Sequence, residues 1–572
     1  MTAIAPVSPS QPQPPPQPDT GAQLGAKAGR AAFWNTALLP AKLGSHLLAQ
    51  LVLANTVPPA AFGVYVLALA VSSTSGAFVD LGTERSVVKF LPEVAGREGG
   101  RGVRRLIGWV FGLKMAILLP VLALAFVLHS VFFRYLDSRI PAVSADRAGD
   151  AAAVHEHDQI TDLVSRNHWT LFGVVIGFVL VGAFYDVAMQ SLVATFRNRS
   201  WNLIQISIQV VEPLIVIAIV LLGGNIAQVL VGRVAVDFLA LLVAATVAIT
   251  AVRRSPDEER AYVAEEERGV PMPIRRFTRY SFLQYALQVA SFVQSYAFAS
   301  IILRNSVDVA GYRLAAGSVS AVLPALLLPI TSLQVPVFTR IFSRRDTGQL
   351  ATAYALVARF LALVLVPGAV GMALLVPNLF RLLYPRYQTM IPVCIVLVIL
   401  GFTDSLFSTG TTVMLTFERY RPVIIKSCIA LLAVPSLFIT VPAFGPLGAA
   451  CTSGGFAVVA SLFGTIVSNR LLPIRYPLAF LGRVALAALP MALVVGLLVN
   501  TVARVPEDVH GIARRALYLA ATGAIAVVGG TIYLVVFRLL GGMEPADIER
   551  MRGVRVPFAA VVLRLLVGRS NA

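Results

Sequence analysis

The chain has 572 residues, of which 57% are hydrophobic and only 13% are charged, with a mean hydropathy of +0.78. Soluble globular proteins carry about 25% charged residues, so this composition excludes a soluble domain. The net charge is +18, but the basic residues lie in short loops between apolar segments, a pattern that the positive-inside rule explains without nucleic acid. The apolar segments are long enough to span a bilayer and lack the alternation of a β-barrel.

About 14 membrane helices are predicted in an all-α polytopic fold. Residues 1–30 are a proline-rich tail that we expect to be disordered and cytoplasmic, with no cleavable signal peptide. A first bundle at 31–252 contains predicted helices at 32–53, 62–93, 106–132, 168–196, 203–222 and 226–252.

A charged linker at 253–276 separates this bundle from a second one at 277–470. The helices of the second bundle are predicted at 277–303, 309–342, 350–376, 388–417, 422–441 and 447–468. An extra helix pair within 477–540 follows, at 480–499 and 514–540, and residues 541–572 form a basic amphipathic tail suited to the membrane surface.

Before Pro92, the first proline of the helix predicted at 62–93, this helix carries four charged residues: Asp80, Glu84, Arg85 and Lys89. We therefore expect one unbroken helix. Charges that continue a membrane-length helix are costly in lipid, so they should face an interior cavity or reach an interface.

A polar insert at 134–167 contains the sequence HEHD at 155–158. A His-x-His pair with a nearby aspartate can ligate a metal, but the signal is weak without further ligands, so we predict a solvated loop and no metal site. Further along the chain, Glu212 precedes Pro213 at mid-membrane depth. Arg233 and Asp237 are four residues apart and are predicted to pair with each other.

The chain contains an internal duplication. The interval from Gly63 to Phe90 recurs from Gly311 to Phe338, and the turn TFRNRS at 195–200 is similar to TFERYR at 416–421. Each copy has six helices, so the copies share an orientation and are parallel repeats, for which the substrate site lies between the halves. Basic residues concentrate in the loops after even-numbered helices, which favours cytoplasmic termini and an even number of helices, 14 or 12.

Three segments carry a resemblance to the multidrug/oligosaccharidyl-lipid/polysaccharide exporter superfamily, in particular to its O-antigen-type flippases of lipid-linked oligosaccharides. They are FGVYVLALAVSSTSGAFVDLGTERSVVKFLPE at 62–93, TFRNRSWNLIQ at 195–205 and AGYRLAAGSVSAVLPALLLPITSLQVPVFTRIF at 310–342. The resemblance implies two six-helix bundles in a V shape, alternating access and a central cationic cavity. The extra helix pair is similar to that of the lipid II flippase.

The resemblance also implies a substrate and a location. The substrate would be an undecaprenyl-diphosphate-linked oligosaccharide, moved across the bacterial inner membrane for synthesis of exopolysaccharide, capsule or lipopolysaccharide O-antigen. Membrane lipids would be partners, with a polysaccharide polymerase and a chain-length regulator as further ones. No cofactor is expected.

Cationic side chains inside a cavity would offset the desolvation of a diphosphate. The five residues chosen for this role are Lys42, Arg85, Lys89, Arg279 and Arg340. Five intramembrane acids are candidates for coupling to an ion, or for lining the cavity: Asp80, Glu84, Asp186, Glu212 and Asp404.

Three alternatives stay open. A multidrug/cation antiporter of the same superfamily should have an acidic cavity, and a peptidoglycan-precursor flippase would carry a related diphosphate. A membrane polymerase or ligase of lipid-linked sugars would belong to a different class, but such enzymes usually have a large external loop. The sequence lacks G-x-x-x-x-G-K-[ST], so hydrolysis of ATP by a P-loop is excluded.

Overall fold

The structure is a computed structural model of the chain. It describes residues 39–140, 151–195, 197–259, 274–293, 295–319 and 347–543, with gaps at 418–419, 473 and 507–510, and the separate positions 322–323, 327, 334 and 338. Ten helices in these ranges are long and apolar enough to cross a membrane. The predicted all-α polytopic fold is thereby confirmed, whereas the number 14 stays a prediction.

The described part of the N-terminal half comprises eight helices. In chain order they are α1 (Leu39–Thr56), α2 (Pro59–Asp80), α3 (Thr83–Val127), α4 (His129–Asp137), α5 (Ala151–Arg166), α6 (His168–Ala194), α7 (Asn198–Leu221) and α8 (Ile226–Glu259).

The C-terminal half comprises the next eight described helices, and an extra pair follows. The eight are α9 (Ile274–Val293), α10 (Tyr296–Ile302), α11 (306–319), α12 (Thr347–Leu383), α13 (Ile391–Leu406), α14 (Thr409–Thr416), α15 (Tyr420–Leu431) and α16 (Ala433–Leu471). The extra pair is α17 (Leu478–Thr501) and α18 (Ile512–Leu539). A 3₁₀ turn at Pro385–Met390 joins α12 to α13.

Two long helices each contain one glycine that breaks the helical geometry. Gly99 in α3 has φ 65° and ψ −156°, and Gly445 in α16 has φ 57° and ψ −138°. A positive φ is accessible to glycine at little cost. We call the end of the molecule at Gly99, where α9 also begins, the inner end, and the opposite end, which carries α4 and α5, the outer end, following the predicted orientation.

The expectation of one unbroken helix over 62–93 is wrong. Helix α2 ends at Asp80, and α3 begins at Thr83 after two residues with positive φ, Leu81 at 51° and Gly82 at 66°. Pro92 lies inside α3 and does not end it. A left-handed glycine is a common way to end a helix, and it places the break beside the charged residues of this segment.

The polar insert is also not a loop where the structure describes it. Its HEHD sequence lies in helix α5, in which Ile160 and Val164 are buried against the N-terminal half. These two residues are four apart and therefore share one face of the helix. The amphipathic pattern, rather than the overall polarity of the insert, decides its structure.

The two halves and the extra pair share one apolar core. Phe62 of α2 packs edge to face against Tyr387, with ring centroids 6.5 Å apart, and Gly63 lies directly against the backbone of Ser306. The extra pair packs on α12, where the Tyr533 hydroxyl donates a hydrogen bond of 3.0 Å to the Leu363 carbonyl. Glycine is required at position 63 because any side chain there would overlap the Ser306 backbone.

Candidate functional site

A cavity of about 1670 Å³ opens at the inner end, where it is lined by residues of both halves. Its lining includes five cationic side chains: Lys89 of α3, Arg275, Arg276 and Arg279 of α9, and Arg421 of α15. Among the described residues that line it there is no aspartate or glutamate. We call this feature the cationic pocket. Such a set of cations with little competing negative charge attracts anions, and guanidinium groups can bind phosphate oxygens in pairs.

The cationic pocket also has an apolar rim. Phe282 of α9 is 72% exposed, and Ile424 of α15 and Leu471 at the end of α16 are exposed beside it. A group of exposed apolar side chains of this size is typical of a surface that meets lipid or another apolar partner. The pocket therefore combines a charged interior with an apolar edge, as an amphiphilic anion requires.

Aromatic rings hold the Lys89 side chain of the cationic pocket in place. The ammonium of Lys89 lies 4.3 Å from the ring centroid of Tyr280 and 5.6 Å from that of Phe90. Phe90 in turn packs against Phe277, and Trp109 of α3 meets the same Phe277 edge to face at 5.2 Å. Cation–π contacts of this kind orient a lysine without neutralising its charge.

Polar contacts join the two halves at the inner end. The hydroxyl of Ser281 donates a buried hydrogen bond of 2.7 Å to that of Ser86, and Arg276 pairs with Glu93 at 2.8 Å. Glu93 also accepts from Arg97 at 3.3 Å. Arg276 is thus the one cation of the pocket with a carboxylate partner within 4.0 Å among the described residues.

A second set of contacts joins the halves at the outer end. The Arg139 guanidinium donates hydrogen bonds to the carbonyls of Leu303 and Ile301, and it stacks 4.5 Å from the Tyr135 ring. Tyr135 donates to Ile301 at 2.9 Å, and the Ser306 amide donates to the Arg139 carbonyl at 2.9 Å. The carbonyls belong to the end of α10, where a cation is favoured by the unpaired backbone groups.

A charged cluster is buried inside the N-terminal half at the break between α2 and α3. Lys114 of α3 donates to Asp80 at 3.1 Å and to the Ala183 carbonyl at 3.0 Å, and both charged side chains are almost fully buried, at 1% and 5% exposure. Glu84 lies within hydrogen-bonding reach of Asp80 and of Asp186 on α6. The structure therefore brings together three of the five predicted acids, and adds a lysine that the sequence analysis did not select.

The predicted pairing of Arg233 with Asp237 is wrong. Arg233 forms its ion pair with Glu212 of the neighbouring helix α7, and also donates a hydrogen bond of 2.5 Å to the Tyr65 hydroxyl. Asp237 is close enough only for a longer-range electrostatic interaction with Arg233. The i, i+4 spacing made the pair geometrically possible, but helix packing offers Arg233 two partners across the bundle.

The C-terminal half holds Asp404, the fifth predicted acid, in a separate polar group. Asp404 accepts a hydrogen bond of 2.5 Å from Ser461, and Lys426 of α15 lies nearby and donates to Thr411 at 3.0 Å. Lys426 was missed in the sequence analysis. The available signal was a single lysine within the apolar segment VIIKSCIALL at 423–432.

The predicted cationic residues have different outcomes. Lys89 and Arg279 line the cationic pocket, whereas Arg85 is exposed on α3 outside its lining. Lys42 is on α1, but its side chain is outside the described part of the structure, as is Arg340. Three arginines of the pocket, Arg275, Arg276 and Arg421, were not selected because they lie in predicted loops. No group of three metal-ligating side chains occurs within the described residues.

Comparison with known proteins places this geometry in context. The family model described as polysaccharide biosynthesis protein matches residues 30–342. The chain is similar in fold to the lipid II flippase MurJ in an inward closed conformation, with a TM-score of 0.55 at 13% identity, over 88% of this chain and 98% of that one. Comparison with curated protein sequences gave no significant match.

Two multidrug transporter structures were also matched. An inward-facing MATE family transporter of the MOP superfamily has a TM-score of 0.48 at 13% identity, covering 77% of this chain and 94% of that one. A mutant MATE transporter from Vibrio cholerae has a TM-score of 0.47 at 12% identity, covering 79% and 98%. Because the family model spans more than half of the sequence, the chain belongs to the polysaccharide biosynthesis protein family, within the multidrug/oligosaccharidyl-lipid/polysaccharide exporter superfamily of transporters.

Proposed function

We propose that the protein flips a polyprenyl-diphosphate-linked oligosaccharide across the bacterial inner membrane for the synthesis of a surface polysaccharide. The observation that carries this proposal is the cationic pocket, with five cations, no acidic side chain among its described lining residues and an apolar rim. The diphosphate binds the arginines, the sugar occupies the aqueous volume, and the lipid tail stays beside Phe282 and Ile424 in the bilayer.

The pocket also lowers the free-energy cost of moving the charged headgroup across the membrane. Moving a charged headgroup into a low-dielectric space costs many kcal/mol unless fixed opposite charges replace its water. Lys89 and the arginines supply those charges, and among the described residues Arg276 alone of these cations has a carboxylate partner. A cationic drug would meet repulsion in the same pocket, which favours a lipid-linked anion over a drug as the substrate.

Transport by alternating access requires that the inner and outer contacts open in turn. The inner contact consists of the Ser86–Ser281 hydrogen bond and the Glu93–Arg276 ion pair, and the outer one of Arg139 with two carbonyls. Each contact contains only a few polar interactions, each worth on the order of 1 kcal/mol net. They can therefore break and re-form during a transport cycle.

The test is complementation of a deletion strain with pocket variants. The double variant Arg279→Gln/Arg421→Gln should lose most surface polysaccharide while the protein is still inserted in the membrane. Arg104→Gln is the matched control, because Arg104 is an exposed inner-end arginine outside the pocket lining. Full surface polysaccharide with the double variant would exclude the cationic pocket as the headgroup site.

A further inference from the structure

The buried cluster at the α2–α3 break has more negative than positive charge. It contains the carboxyl groups of Asp80, Glu84 and Asp186, with Lys114 as the one cation that contacts it within the described residues. Two excess negative charges inside a membrane-spanning bundle are very costly without a bound cation or protons. The cluster is therefore incomplete as a fully ionised group.

One buried oxygen of the cluster, on Asp80, lacks a hydrogen-bond donor among the described residues. Asp80 is 4% exposed, and its Oδ1 atom accepts from Lys114 at 3.1 Å. Its Oδ2 atom is buried and has no hydrogen-bond donor in the described structure. An unsatisfied buried acceptor of this kind is rare and calls for a ligand. Glu84 lies within reach of both Asp80 and Asp186, so a proton on its carboxyl group would supply the missing donor.

The same break is packed directly against the other half of the protein. A Cβ atom on Gly82 would overlap the carbonyl oxygen of Ser281 and lie 2.5 Å from the Tyr285 amide nitrogen. Four residues along α3, Ser86 accepts the buried hydrogen bond from Ser281. The cluster and α9 therefore both lie next to one short, non-helical link.

We propose that Asp80, Glu84, Asp186 and Lys114 form a proton-binding site whose occupancy sets the geometry of the α2–α3 break and thereby the inner contact with α9. This proposal deepens the proposed function, on which it rests for its role in transport. When Glu84 carries a proton, its carboxyl group donates to a neighbouring carboxylate and the net charge of the cluster falls from −2 to −1, so the carboxyl groups hold together and the break keeps its left-handed form. When the proton leaves, repulsion between the carboxylates drives α3 away from α2 and α6, and the contact with α9 loosens.

Other charged or titratable groups face the site from each helix packed around it. They can change the pH at which the proton binds, but they do not contact Asp80 directly in the described structure. These surrounding groups are Tyr185 on α6, Asp237 on α8 and Tyr285 on α9.

The proton itself can be detected by infrared difference spectroscopy of the full-length protein in lipid nanodiscs. As the pH is lowered, the wild type should gain the C=O stretching band of a buried protonated carboxyl group. Glu84→Gln should lose this band, and Asp186→Asn should shift its midpoint. Asp162→Asn is the control, because Asp162 is an exposed acid of α5 that pairs with Arg166 outside the cluster, and this variant should keep the band. A band that is unchanged in Glu84→Gln would overturn the proposal.

The movement has its own reporter, because Trp109 contacts Phe277 of α9 across the inner contact. In a protein with Trp34, Trp169 and Trp201 replaced by Phe, the Trp109 emission should change with the same midpoint as the infrared band and should stop responding to pH in Glu84→Gln. A Trp109 response to sodium ions without the carboxyl band would also contradict the proposal. Neither readout uses the lipid-linked substrate, so a failure here is distinct from a failure of the proposed function.

Discussion

Gly82 of the N-terminal half lies in contact with the backbone of Ser281 in the C-terminal half, with no space for a side chain between them. Gly82 has φ 66°, so alanine there would be strained as well as obstructed. Overpacking and left-handed strain together should cost about 2–5 kcal/mol. We expect Gly82→Ala to lower the thermal unfolding temperature and to separate α3 from α9.

Gly76 provides the matched control for this prediction. It lies in the adjoining helix α2, and a Cβ atom there has nothing within 4 Å. Gly76→Ala should stabilise the protein by about 0.5–1 kcal/mol, because alanine favours a helix. Equal effects of the two substitutions in a thermal unfolding assay would show that the close contact at Gly82 has no energetic consequence.

Arg139 should hold the outer end closed. Arg139→Ala removes the hydrogen bonds to the carbonyls of Leu303 and Ile301, so the outer end should open more often. In a protein without its native cysteines, spin labels at positions 138 and 304 should report a longer and broader distance distribution in this variant than in the parent.

The control for the outer contact is Arg134→Ala, since Arg134 is exposed on α4, just before the turn that carries Arg139, and within the described structure its side chain donates to the local Ser130 carbonyl. Its distance distribution should match that of the parent. If Arg139→Ala also leaves the distribution unchanged, Arg139 does not control the outer end.

Lys114 should matter more for stability than any exposed basic residue of the same helix. Lys114→Met leaves Asp80 buried without its cation, and breaking a buried pair in this way costs about 3–5 kcal/mol. Adding Asp80→Asn should recover much of the loss, because the unpaired charge is then removed. By contrast, Arg105→Ala breaks a half-exposed pair with Glu98 and should cost about 0–1 kcal/mol. Thermal unfolding of the four proteins measures the difference.

Glu212 and Asp237 should respond differently to neutralisation. Glu212→Gln removes the ion-pair partner of Arg233 and should destabilise the protein by about 1–3 kcal/mol. Asp237→Asn removes a more distant charge and should have a smaller effect. The reverse order in unfolding measurements would restore the i, i+4 pairing as the dominant one.

The sequence predicts the helical architecture well because each membrane segment is set by its own hydrophobicity and length. Helices α17 and α18 begin and end within two residues of their predicted bounds. The break at Gly82 was not predicted, because a single glycine in a helical pattern does not by itself distinguish a helix interior from an end.

The site was only partly predictable, because its contacts join residues far apart in the chain. Lys89 and Arg279 could be selected as cations near membrane helices, and both line the cationic pocket. The partner of Asp80 is Lys114, 34 residues away, and no periodic pattern connects them. Pairing across helices depends on how the helices pack, which local sequence does not encode.

The most direct test of the flippase proposal is to delete the gene and determine which lipid-linked intermediates accumulate, and in which leaflet. We predict that surface polysaccharide is lost and that a polyprenyl-diphosphate-linked oligosaccharide accumulates in the inner leaflet, out of reach of a membrane-impermeant reagent added outside. An accumulated peptidoglycan precursor would contradict the assigned substrate. Intact surface polysaccharide with increased sensitivity to cationic drugs would contradict the proposal altogether and identify a drug exporter.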